Sequence, residues 1–117
     1  MEDPTTKYSR LIPIFKELRE LALKYDFIEH ADGFTELIDL AQLESPDFER
    51  AILSGDVWGG AGALWELSFS GNVDGDPEEL LADDLAYERL LLELIQHMKA
   101  IGIRNDRVDL LEGVFQR

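Results

Sequence analysis

The sequence predicts an all-α fold, a single-domain bundle of five or six helices over residues 1–117 with its long helix near the C-terminus. Three observations predict it. Apolar residues recur at three- and four-residue spacing through most of the chain. Helix starts and stops are marked by Asp, Asn, Pro and Gly at the expected offsets. No segment keeps the alternation of a half-buried strand for long. "ALWELSFSG" alternates briefly, but one strand without a partner makes no sheet. A length of 117 residues with 45% hydrophobic content suits one core, and no repeat or internal boundary divides it.

The first helix is expected from about Thr5 to Tyr25, where Tyr8, Leu11, Phe15, Leu18, Ala22 and Tyr25 form one stripe. Pro13 lacks an N–H, so it kinks this helix or marks its true start. A second helix is expected from about Gly33 to Leu43, capped by Asp32 and buried through Phe34, Leu37, Ile38 and Ala41. Ser45-Pro46-Asp47 reads as a cap with proline at the first helical position, opening a short helix that carries Phe48 and Ile52 and stops near Gly55. "SFSGNVDGDPEE" reads as a loop that ends in a helix start. There Asp76 is the cap, Pro77 takes the first position and Glu79 completes a capping box. The long helix then runs to about Ile101, with Gly102 as its stop. Leu81, Leu85, Leu92 and Ile95 form one stripe on it; Leu91, Leu94, Met98 and Ile101 form another. Two stripes imply burial between several neighbours. Asn105 caps a last helix bearing Val108, Leu111 and Phe115.

Charge narrows the function. Eleven Lys and Arg stand against 25 Asp and Glu, a formal net charge of −14. Such a surface repels the backbone of nucleic acids and anionic membrane alike, and attracts basic proteins. With no cysteine, disulfides, thiolate nucleophiles and Cys-ligated zinc are excluded. The N-terminus lacks an apolar signal core and no stretch is long enough to span a bilayer, so a cytoplasmic location is expected.

The stretch Asp56–Leu67, "DVWGGAGALWEL", places three glycines within four residues and a tryptophan on each side. It is no phosphate loop, because Ala63-Leu64-Trp65-Glu66 follow where a lysine and then Ser or Thr are required. Read as a helix, it puts Trp58, Gly62, Trp65 and Phe69 on one face, with Gly62 as a notch between the indoles. Gly59 and Gly60 turn the chain just before. The notch is read first as a core corner, and second as an interface hot spot formed by Trp58 and Trp65. "GGAGALWEL" also resembles the Gly-Gly-x-Gly-Ser-x-x-Asp-Leu signature of a family of small helical bacterial proteins of unknown function. The identities are Gly59, Gly60, Gly62 and Leu67; Ala63 replaces the serine and Glu66 the aspartate. Some small acidic proteins of this sort resemble immunity proteins encoded beside toxins. The loss of the serine hydroxyl argues for a structural motif over a catalytic one.

Other chemistry is sparse. Asn72-Val73-Asp74-Gly75-Asp76 imitates the start of a calcium loop, but Pro77 stands where glycine is needed and Asp83 where a bidentate Glu is needed. Helix capping by Asp76 accounts for the same residues, so no metal or cofactor is expected. His30 and His97 lack the repeated Glu-x-x-His spacing of a di-metal bundle. The sequence therefore reads as a non-enzymatic binding protein with a basic protein partner, and the resemblance implies the immunity type, with a toxin as that partner. Its candidate contacts are Asp74, Asp76, Glu78, Glu79, Asp83 and Asp84, which crowd one loop and helix start. A small enzyme or metal-binding protein using Glu66, His30 and Asp56 is the second reading, and a homodimer through the tryptophan notch the third.

Overall fold

The computed structural model describes residues 7–59 and 63–116, the side chain of Asp56 excepted. Among these residues the fold is all-α, with no strand. Six helices follow in order: α1 (Ile12–Lys24), α2 (Ile28–Gln42), α3 (Phe48–Ile52), α4 (Gly55–Trp58), α5 (Pro77–Ala100) and α6 (Asp106–Phe115). α1 packs on α2 and α5, α2 on α3, and α5 on α6. No described helix is long and apolar enough to cross a membrane.

Pro13 marks the true start of α1. Residues 7–11 form turns instead of an added helical turn, yet Tyr8 and Leu11 are still buried against the core. α2 begins one turn and more before its expected start. Phe27 is the N-cap, and Asp32 is an exposed residue within the helix, not its cap. Ser45 does not cap α3 directly; its Oγ accepts from the Asp47 N–H at 3.1 Å, and Asp47 occupies the N-cap position. Asp76 and Asn105 cap α5 and α6, accepting from the N–H groups of Glu78 at 3.2 Å and Val108 at 2.9 Å, while the Glu79 carboxylate, expected in a capping box, accepts from Lys24 instead.

Helices α1, α2 and α5 all end the same way. The residue two past each C-cap donates back to the third residue from the helix end: Phe27 to Ala22, Ser45 to Leu40, and Ile103 to Met98, at 2.9, 3.0 and 2.9 Å. Such a Schellman motif needs a left-handed residue at the corner. Gly102 supplies it after α5 at φ 85°, whereas Asp26 and Glu44 adopt φ of 63° and 49°.

The core joins Phe15, Leu18, Phe34, Phe48, Trp58, Phe69, Tyr87 and Leu94 in one cluster. α5 turns Leu80, Tyr87, Leu91, Leu94, Ile95 and Met98 inward. The second expected stripe of α5 is thus buried except for Ile101, which is 37% exposed at the C-cap. The first is not: Leu81 and Leu85 are 55% and 52% exposed, Leu92 is half-buried, and only Ile95 is in the core. The neighbours of α5 cover the face of its N-terminal half that carries Leu80 and Tyr87, and a two-sided apolar pattern exceeds what they cover.

Candidate functional site

The tryptophan-flanked segment is not one helix. α4 ends at Trp58, and residues 63–76 are turns, bends and irregular chain, so Trp58, Trp65 and Phe69 do not share a helical face. Gly60 and Gly62 lie outside the described residues. The two ends of the segment are tied together. The Trp65 N–H donates to the Val57 carbonyl at 3.1 Å. The Trp65 indole donates to the Gly59 carbonyl at 2.7 Å. Arg107, from α6, donates to the Trp58 carbonyl at 2.6 Å and to the Gly59 carbonyl at 3.1 Å. Its guanidinium also lies over the Trp65 ring, 5.7 Å from the centroid. A helix end leaves its last carbonyls without intrahelical partners. Here an indole, a guanidinium and one backbone N–H take up those of Val57 and Trp58, and that of Gly59 just past the helix.

Trp58 is 1% exposed and donates to the Ile52 carbonyl at 2.6 Å, so its indole belongs to the core. Trp65 is half-buried, edge-on to Phe115. Gly59 has an ordinary φ of −79°, but a Cβ there would collide with the Gly55 carbonyl oxygen, to which the Gly59 N–H also donates at 2.8 Å. The first glycine of the signature is therefore demanded by a close approach of backbone to backbone. Ala63, where the resembling family carries serine, is buried, and Glu66 is exposed.

The acidic residues around the start of α5 divide into two kinds. Four hold the fold. Asp76 caps α5. Lys24 of α1 donates to Glu79 at 3.2 Å and to Asp83 at 2.8 Å. The Tyr25 hydroxyl also donates to Asp83. Lys24 and Tyr25 together hold the Asp83 carboxyl below its usual range, and Asp83 in turn raises both partners. Asp84 accepts from the Phe69 and Ser70 N–H groups at 2.6 and 3.2 Å and from the Ser70 hydroxyl at 2.5 Å. That carboxylate fastens the loop before α5, and with it Phe69, whose ring meets those of Tyr25, Phe27 and Tyr87. The carboxylates of Asp74 and Glu78 are exposed and have no described partner.

A cavity of about 580 Å³ opens elsewhere, between α2 and the short helices α3 and α4. Gly33, Leu37, Leu40, Ala51, Val57 and Leu64 make its apolar wall, and Glu29, Glu36, Asp47, Arg50 and Ser54 its polar edge. Asp47 and Arg50 pair at 3.5 Å across exposed side chains. Leu64 is placed from two sides. The buried Tyr87 hydroxyl donates to its carbonyl at 2.5 Å, and Gly33 leaves room for its methyls, which would lie 3.1–3.2 Å from an added Cβ. The outer face of α2 beside the cavity carries Glu29, Asp32, Glu36 and Asp39, all exposed and without a described ion pair. Sequence reasoning missed this site. Its signal was the 4-3-4 spacing of Glu29, Gly33, Glu36 and Leu40, which starting α2 at Gly33 had split.

Of the three residues of the enzymatic reading, two have described side chains, His30 and Glu66. His30 is half-buried and edge-on to Phe27 at 5.7 Å, and burial lowers its pKa against the opposing pull of Glu29. No described contact joins it to Glu66, and the Asp56 side chain lies outside the described residues. No group of three metal-ligating side chains gathers among the described residues. No family model matches the chain, and no curated protein or solved structure is similar to it.

Proposed function

We propose that the chain is a non-enzymatic binding protein that takes a basic protein partner on its acidic surface, steering the encounter by charge and covering a cationic face. The observation that carries this reading is the net charge of −14, together with exposed carboxylates that have no ion-pair partner among the described residues: Glu29, Asp32, Glu36 and Asp39 on α2, and Asp74 and Glu78 near α5. Charge of one sign over a surface raises the association rate of an oppositely charged protein and falls off with salt. A toxin neutralised by occlusion is the class of partner suggested by the resemblance of the glycine segment to small helical bacterial proteins, some of which resemble immunity proteins. The carboxylates that do converge, at Asp83 and Asp84, meet Lys24, Tyr25 and backbone N–H groups; this supports a structural use for them, not chemistry on a substrate.

The test is kinetic. A protein recovered on the immobilised chain from a native host lysate should have a high isoelectric point. Its association rate should fall about tenfold or more between low and high salt, because screening shortens to about 3 Å at 1 M. A tight partner whose rate ignores salt would refute the reading. Charge reversal belongs at Asp74 and Glu78 or on α2, since reversing Asp83 or Asp84 would also cut the bonds that hold α1 and the preceding loop to α5.

A further inference from the structure

We propose that the cavity between α2, α3 and α4 seats the basic partner, by taking a segment that sets an aliphatic side chain on the apolar wall and lysine or arginine against Glu29 and Glu36. This rests on the basic-partner reading and names its site. Its volume of about 580 Å³ is in the range that admits a few side chains or a small organic ligand. The wall is apolar, so it rewards burial of an aliphatic group. The edge sets three carboxylates, Glu29, Glu36 and Asp47, against the single guanidinium of Arg50, which Asp47 already meets at 3.5 Å. That imbalance selects a cation and rejects an anion.

Glu29, Gly33, Glu36 and Leu40 lie along one side of α2, so acidic and apolar contacts alternate at helical spacing. An amphipathic basic segment presents the complementary order. The wall is also preformed. Tyr87 holds the Leu64 carbonyl, and Val57 and Trp65 are joined by a backbone hydrogen bond, so little ordering remains for binding to oppose. The start of α5 is a poorer seat, because four of its six carboxylates already have internal partners.

The experiment uses the full ¹⁵N-labelled chain and three synthetic peptides of equal length: one of Lys and Leu in amphipathic order, one with Leu replaced by Gly, and one with Lys replaced by Gln. The Lys/Leu peptide should bind tightest and shift the amide signals of Gly33, Leu40 and Ala51. The double variant Glu29→Lys, Glu36→Lys should weaken it about tenfold or more with far-UV helicity unchanged. Glu88→Lys with Glu93→Lys, the same charge change at exposed positions of α5 outside the cavity lining, should weaken it far less. If the Lys/Leu peptide binds but its shifts gather at the start of α5, or the Lys/Gly peptide binds equally well, the cavity is not the seat, while the basic-partner reading stands. Equal binding of the Gln/Leu peptide would overturn the charge selection. Failure of both lysine-bearing peptides to bind would overturn the site and the basic-partner reading together.

Discussion

Two residues invert the usual use of glycine. Gly59 has a φ open to any residue, but no side chain fits against the Gly55 carbonyl. Gly59→Ala should therefore destabilise the protein by about 1–3 kcal/mol through overpacking against backbone that cannot swing aside. An unchanged denaturant midpoint would show that α4 yields freely. Glu44 is the converse, a bulky residue held at φ 49°, whose carboxylate, among the described residues, takes a 3.5 Å bond from the Lys7 N–H. Relief of left-handed strain outweighs the extra freedom of unfolded glycine, so Glu44→Gly should stabilise by about 0.5–1 kcal/mol. A lower midpoint would mean that the glutamate makes a contact worth more than its strain. Neither position was legible as such. A glycine pair reads as freedom to turn, while here one of the pair serves proximity. A left-handed glutamate carries no residue-type signal at all.

At the scale of elements, the sequence was most informative where a helix end is chemically marked. Asp76-Pro77 and Asn105 placed the starts of α5 and α6, and Gly102 the end of α5, because each signal is a local hydrogen bond or a required φ. Asp76→Ala should destabilise by about 0.5–2 kcal/mol in thermal or denaturant melts. Added calcium should leave the native melting temperature where it was, and a rise with calcium would reassign Asp76 to a metal. α2 was misplaced at its start for the opposite reason. Phe27, its N-cap, makes no side-chain bond, so nothing in residues 26–28 announces a helix, while Asp32 resembles a cap it does not form. The groove went unseen for the same cause: it depends on Glu29 sharing a helix with Glu36, and on Leu64 being brought to Gly33 by chain far away in sequence.

Across the whole molecule, α1 and α5 are clamped by Lys24 and Tyr25 on Asp83. The folded Asp83 carboxyl lies below its ordinary 3.8, so the folded state prefers the charged form. Its contribution is fully present above that ordinary value and is lost as pH falls through the lowered folded one. Asp83→Asn should accordingly be less stable than the parent at pH 6–7, with the gap closing below about pH 4 as the parent carboxyl is protonated. A gap that stayed constant to pH 2 would assign the loss to packing instead of charge. The all-α class was legible from periodicity alone. Which carboxylates remain for a partner was not, because pairing with Lys24 or with the Phe69 and Ser70 backbone exists only after the helices meet.

Arg107 reaches back 49 positions to the Trp58 carbonyl and 48 to that of Gly59. During synthesis, then, α4 and the glycines after it emerge long before the group that ties them down. Until α6 emerges, the Trp58 carbonyl lacks its guanidinium partner, the Gly59 carbonyl has the Trp65 indole alone, and that indole lacks the cation stacked on it. Fastening of the Trp58 and Gly59 carbonyls by Arg107 is thus an event that waits for α6. A version ending at Ile103 should retain far-UV signal from the earlier helices yet show a red-shifted, more readily quenched tryptophan emission. Trp65 emission indistinguishable from that of the full chain would mean the segment is fastened without its distant clasp.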